Sequence, residues 1–154
     1  MAEHMPTSKK RRSAKVPPKA LKSLLLPMPR RESDTMSLRS RLAFEAMRSQ
    51  RPTATDVLNV AQTVLLTSFI TEAGHGLLDL TLIRQVEEEV LALLDSGKTT
   101  DDWITPETLL EPLASVINEH DRQLREVRLG VVKAACERLD RMVTSALAQS
   151  KEGS

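Results

Sequence analysis

Aromatic residues are nearly missing from this 154-residue chain, which has no tyrosine, one tryptophan and two phenylalanines. Its apolar fraction of 40% is carried mainly by Leu, Val, Ala and Met. Such a composition favours helices that pack by aliphatic interdigitation, and it argues against sandwiches and barrels. The single cysteine, Cys136, excludes an internal disulfide, so a reducing, cytoplasmic setting is expected. Long hydrophobic runs are also lacking. After the basic residues Lys9, Lys10, Arg11 and Arg12, only Leu24-Leu25-Leu26 intervenes before Pro27, too short for an export signal or a membrane span. No membrane partner is expected.

What the chain does have is a division of charge hidden by its net value of +1. Residues 1–51 hold 13 Lys and Arg against 4 Asp and Glu, a net +9. Residues 52–154 hold the other 9 against 17, a net −8. The two parts are expected to face different partners, or each other.

Residues 1–34 are rich in Lys, Arg, Ser and Pro and show no sustained apolar period. Burial there cannot offset the entropy of ordering, so they read as a disordered basic arm. Within it, residues 21–28 hold a short apolar motif. Leu21, Leu24, Leu25 and Leu26 form a patch fit to dock on a protein as one helical turn, which Pro27 and Pro29 end.

Residues 35–149 read as an all-α bundle of about four helices, and 150–154 as a tail. Ser37 is the expected N-cap of the first helix, whose apolar stripe is Leu38, Leu42, Ala46 and Met47, and Arg51-Pro52 closes it. Thr53 or Thr55 starts the second, with Val57, Val60, Ala61, Val64, Leu65 and Ile70 at helical spacing until Gly74-His75-Gly76. Asp79 caps the third, and Gly97 is the expected left-handed terminator. Thr105-Pro106-Glu107 then starts the fourth, with Thr as cap, Pro in the first position and Glu suiting the dipole. Its apolar set runs from Leu113 through Ile117, His120, Leu124, Val127, Val131, Ala135, Leu139 and Met142 to Ala146. Unbroken from residue 106 to 148, this helix would be roughly 65 Å long at ~1.5 Å per residue. It must break, at Pro112 or Gly130, or protrude, or pair. A homo-oligomer through this long C-terminal helix is the expectation.

Catalytic chemistry finds little support. His4, His75 and His120 have no partners at metal-ligand spacing. His120 and Asp121 are adjacent and so point in different directions on a helix, and His120 reads as a stripe residue. Cys136 lacks an obvious positive neighbour at its own helix start to activate it and reads as a small core residue. Gly74-His75-Gly76 has neither the third glycine nor the Lys-Ser/Thr of a phosphate loop. Glu87, Glu88 and Glu89 fan around the helix and cannot converge on one ion. No enzyme activity, metal or cofactor is expected.

Nucleic acid is the better prospect. The candidate residues are Lys9, Lys10, Arg11, Arg12, Lys15, Lys19, Lys22, Arg30 and Arg31, suited to phosphates rather than to base edges. About six phosphate contacts would give a slope of log affinity against log salt of roughly −5. A helix-turn-helix across Gly74 and Gly76 is rejected, because its second helix carries Asp79, Glu87, Glu88, Glu89 and Asp95 against Arg84 alone and would repel phosphate. Arg39, Arg41 and Arg48, or Arg122, Arg125, Arg128, Arg138 and Arg141, are better placed for backbone contact.

The passage Leu24-Leu25-Leu26-Pro27-Met28, with the later Leu42-Ala43-Phe44-Glu45-Ala46-Met47, resembles short helical proteins carried on bacterial plasmids and integrative elements, some labelled Fis-like regulators. The resemblance covers residues 20–50 and implies a bacterial accessory protein. The basic C-terminal helix-turn-helix of a Fis-like DNA reader is absent, and no functional residue carries over. The expected function is therefore non-enzymatic and regulatory, with a helical body that binds itself or another protein and an arm that tethers it to nucleic acid or another anionic surface. The competing expectation is a protein-directed adaptor or inhibitor that uses the acidic surface from Asp79 to Asp102 and the leucine motif.

Overall fold

The computed structural model of the chain describes residues 18–152, and the side chains of residues 20–151. Six helices follow in order: α1 (Pro18–Leu25), α2 (Arg30–Arg48), α3 (Ala54–Ile70), α4 (Leu80–Thr100), α5 (Glu107–Glu126) and α6 (Leu129–Glu152). A π-type turn, Thr71–His75, joins α3 to α4. There is no strand among the described residues, only an isolated antiparallel bridge between Pro27 and Arg128. The all-α expectation holds, with six helices among the described residues in place of about four.

The axis of the bundle is α3. It opens on a capping box in which the Thr53 hydroxyl accepts from the Asp56 N–H and the Asp56 carboxylate accepts from the Thr53 N–H, so two orphan donors are satisfied at once. From Val60 to Ile70 every residue but Gln62 is buried, because α2, α4, α5 and α6 all pack against this helix. The apolar interior falls into two clusters. One joins Met47, Val57, Val64, Ile83, Val90, Leu113 and Ile117. The other joins Met28, Phe69, Ile70, Leu124, Val127, Val132 and Leu139.

Several boundaries differ from the sequence expectation. Residues 18–34 contain α1 and the first turn of α2, so within the described residues the structured body starts well before Ser37. Pro29, which has no donor to lose, occupies the N-cap position of α2. Leu38 and Leu42 do not face the core; they are 59% and 63% exposed. The buried face of α2 is Ser33, Ser40, Ala43 and Met47, three small residues and one large apolar anchor. Periodicity points to the other face because it counts Ser40 as polar, yet the inward hydroxyl of Ser40 finds a partner in Thr63 at 2.8 Å and so is buried without penalty.

Gly97 does not end α4, which runs on to Thr100 and stops at Asp101, a left-handed residue with φ 55°. The glycine serves packing instead. A Cβ there would lie 2.3–2.6 Å from the Trp103 ring, and Trp103 is pinned by its indole N–H donating to Asp101 Oδ1 at 3.1 Å. Thr105 gives α5 no side-chain cap; the N-cap position is Pro106 and the helix proper starts at Glu107. The backbone of Thr105 is held by the Gln50 amide, which accepts from its N–H at 3.1 Å and donates to its carbonyl at 3.0 Å. This pair of bonds ties the α2–α3 turn to the α4–α5 loop.

The long helix breaks at Val127 and Arg128, not at Pro112, which α5 carries inside it, nor at Gly130, which lies in α6. Val127 is extended and buried. The N–H of Leu129, an orphan donor at the start of α6, donates to the Leu26 carbonyl at 2.8 Å. A chain that could have run straight on is thus turned by an apolar anchor and a cap from another segment.

Gly97→Ala tests the Trp103 packing. Alanine is the better helix former by about 1 kcal/mol, yet we expect a net loss of about 1–3 kcal/mol from overpacking, together with a red shift of the single tryptophan's fluorescence. Unchanged emission and a raised unfolding midpoint would show that the Trp103 ring does not require a glycine at this position.

Candidate nucleic-acid interface and the buried polar layer

Between the two apolar clusters runs a layer of buried polar groups. It is built by α5, whose residues Glu119, His120, Asp121 and Gln123 are all buried, with Arg122 half-buried among them. Opposite stand Ser40 of α2 and the threonines Thr63, Thr67 and Thr71, one per helical turn of α3 and the turn that follows it. Each threonine hydroxyl donates to the carbonyl four residues back, at 2.7–2.9 Å, which satisfies it locally.

Most of α5's polar run holds other segments in place. Glu119 accepts from the backbone N–H groups of Leu77 and Leu78 and pairs with Arg122. Arg122 also donates to the His75 carbonyl at 2.9 Å and to Glu126. Gln123 donates to Thr71 Oγ1 at 3.0 Å. The α3–α4 turn, where Gly74 takes a left-handed φ of 94°, is therefore clamped from end to end. Burial acts to raise the Glu119 carboxyl, but the bonds from Arg122, Leu77 and Leu78 outweigh it and hold the group below the ordinary carboxylate range. Asp121 takes the other side of α5 and pairs with Arg41 of α2, whose Nε donates at 2.6 Å and whose fork also reaches Asn118.

His120 is only 1% exposed. Burial pushes it down to about 4, with the Asp121 charge offsetting this only in part, so the ring is neutral at pH 7. Its Nδ1 has no hydrogen-bond partner among the described residues. Cys136 is a half-buried core thiol raised by burial and then by Asp140 and Glu137, the reverse of what a nucleophile requires. Among the described residues no three His, Cys, Asp or Glu are grouped to hold a metal ion, and no helix is long and apolar enough to cross a membrane.

The sequence-derived basic residues divide. Lys9, Lys10, Arg11, Arg12 and Lys15 lie outside the described residues, as does the side chain of Lys19 in the first turn of α1. Lys22, Arg30 and Arg31 are exposed at the α1–α2 corner. The Pro27–Arg128 bridge and the Leu129-to-Leu26 bond bring that corner against the α5–α6 corner, which adds Arg125, Arg128 and, in the first turns of α6, Lys133, all exposed. Among the described residues Lys22, Arg31, Arg128 and Lys133 have no carboxylate within ion-pair distance; Arg30 has only Asp34 at 3.9 Å, with both side chains exposed. Arg138 is not part of this end. It lies 3.9 Å over the Phe69 ring and pairs at 2.7 Å with Glu72, which also holds Arg84.

Of the leucine motif, Leu24 is turned inward, where its carbonyl and Cβ lie 3.2 and 3.7 Å from the position of a Cβ on Gly130. Leu21, Leu25 and Leu26 remain exposed. The last turns of α6, residues 140–151, are exposed on every side, with Met142, Val143 and Leu147 among them. Arg125, Arg128 and Lys133 are legible as basic residues in the sequence, but nothing in their spacing says that they join the corner at Arg30. The threonine period on an otherwise apolar helix is a signal for the polar layer that hydrophobic periodicity alone passes over.

Comparison with known proteins gives no match: no family model fits the chain, and no curated protein or solved structure is similar to it.

The neutral buried histidine sets a pH dependence. Its folded pKa lies below the unfolded 6.5, so as pH falls from 6.5 toward 4 the unfolded chain binds a proton that the native chain does not, and stability present above pH 6.5 is lost through that window. Urea unfolding is expected to show a loss of roughly 2–3 kcal/mol between pH 7 and 4.5, at ~1.4 kcal/mol per pH unit. His120→Gln should flatten this slope; an equal slope in the variant would remove His120 as its source.

Proposed function

We propose that the protein is a non-enzymatic accessory or regulatory factor that attaches to nucleic acid through its basic N-terminal residues and the adjoining basic end of the bundle, and self-associates through the end of α6. The observation that carries this reading is the meeting of the α1–α2 and α5–α6 corners. It gathers Lys22, Arg30, Arg31, Arg125, Arg128 and Lys133 on the end of the bundle from which the chain leads back to Lys9–Lys15. Such an array suits the phosphate backbone, where affinity follows the number of charges neutralised and no base reading is needed. The α6 end supports the second half of the reading, since three turns with Met142, Val143 and Leu147 unburied present apolar surface of the kind that pairs helices.

Duplex binding at rising salt tests the interface with the full chain. Neutralising Arg125, Arg128 and Lys133 to Gln should reduce the slope of log affinity against log salt by about one for each phosphate that is no longer neutralised, and neutralising Lys9, Lys10, Arg11, Arg12 and Lys15 should reduce it further. Wild-type affinity and slope in both variants would sink the reading and favour a protein-directed adaptor. Light scattering tests the second half: Met142→Glu/Leu147→Glu is expected to convert an oligomer to a monomer, and a wild-type chain that is monomeric at tens of micromolar would remove self-association.

A further inference from the structure

Between α2, α3, α5 and α6 lies a cavity of about 100 Å³ whose polar lining is Arg39, Ser40, Asn59, Gln62, Thr63 and His120. Ser40, Thr63 and His120 are buried and form its floor; Arg39 is exposed and stands at its rim, with Asn59 and Gln62 half-buried between. Met36, Leu66 and Leu139 make an apolar wall. We propose that this cavity is a binding site for a short-chain monocarboxylate, with the charge held by Arg39 and the alkyl part against the apolar wall.

Charge selects the class of ligand. Among the described residues no carboxylate lines the cavity, and the one charged group there is the Arg39 guanidinium. That group uses one N–H on Asn59 Oδ1 at 3.1 Å, which leaves donors of its fork for a carboxylate. A single guanidinium matches a single negative charge better than a dianion. Size agrees: the volume corresponds to about three water molecules at ~30 Å³ each, or to a solute of about four to six non-hydrogen atoms. The apolar wall favours a carboxylate with a short alkyl group over an inorganic oxyanion.

His120 lines the floor, which puts its ring within reach of a bound solute as a reporter; its buried Nδ1 is one of three atoms of the polar layer, with Asp121 Oδ1 and Gln123 Oε1, that have no partner among the described residues. Thr63 donates to the Asn59 carbonyl at 2.9 Å, and in that arrangement Ser40 donates to Thr63, so both hydroxyl protons are used and Arg39 is the group that holds the carboxylate. None of the residues of the basic corner lines the cavity, so this inference stands apart from the nucleic-acid reading.

Histidine-ring NMR of the full-length, ¹⁵N-histidine-labelled protein tests it, with His120→Gln used to assign the resonance. Sodium propionate is titrated beside sodium chloride at matched ionic strength and beside propionamide, the neutral isostere. The expected result is a saturable displacement of the His120 signals by propionate, absent with chloride, and weakened about tenfold or more in Arg39→Gln, the scale of a lost charge-assisted hydrogen bond. Arg39 is exposed, so this variant keeps the fold, and Lys98→Gln serves as a charge control expected to bind like wild type. No saturable shift, equal binding of propionamide, or unchanged affinity in Arg39→Gln would each overturn the proposal and leave a cavity filled by ordered water only.

Discussion

Enclosing an unbroken polar run of α5, Glu119 to Gln123, is the constraint on which the rest of this fold turns. Consecutive residues of a helix point in all directions, so a run of this kind can be enclosed only if polar partners surround the helix. They do. Glu119 and Arg122 grip the α3–α4 turn, Asp121 holds Arg41 of α2, and Gln123 reaches Thr71. Breaking one partner of such a buried charged pair leaves an uncompensated charge, a loss of about 3–5 kcal/mol where burial is complete. Orientation of α2, α3 and the turn about α5 is thereby fixed more narrowly than apolar packing alone would fix it.

Apolar burial works on either side of this layer. The cluster around Met47, Ile83 and Ile117 holds α2, α3, α4 and α5 together, while the cluster around Phe69, Leu124 and Leu139 adds α6 and the connector at Met28. The second cluster also decides the shape of the basic end. With Val127 buried in it, the chain must turn at Arg128. Once turned, the free N–H of Leu129 is capped by the Leu26 carbonyl, which holds the α1–α2 connector against the α5–α6 corner. Two basic segments far apart in sequence thus share one surface because of an apolar anchor and a backbone cap.

The same layer accounts for the chemistry that is present and for what is not. Most of its groups are occupied with one another. His120, neutral and deeply buried, makes no such bond through Nδ1, and Asp121 and Gln123 each keep one unpartnered oxygen; His120 lines with Ser40 and Thr63 the small cavity between α2, α3, α5 and α6. The half-buried Cys136, raised by its surroundings, belongs to the packing of α6.

Local signals were legible wherever one residue type has one strong local use. The aliphatic composition determined the all-α class, Thr53 with Asp56 and the single Asp79 determined the starts of α3 and α4, and the +9/−8 division singled out the segment of Lys22, Arg30 and Arg31 but not Arg125, Arg128 and Lys133. The tertiary structure alone decided matters that depend on partners distant in sequence. Ser40 faces inward while Leu38 and Leu42 face water because Thr63 offers Ser40 a hydrogen bond. Gly97 lies within a helix because Trp103 covers it. The 106–148 run breaks at Val127 because an apolar pocket and the Leu26 carbonyl await it there. Periodicity measures the average polarity of a face, whereas the side of a helix that is buried is set by the specific donors, acceptors and volumes that the other helices bring to it.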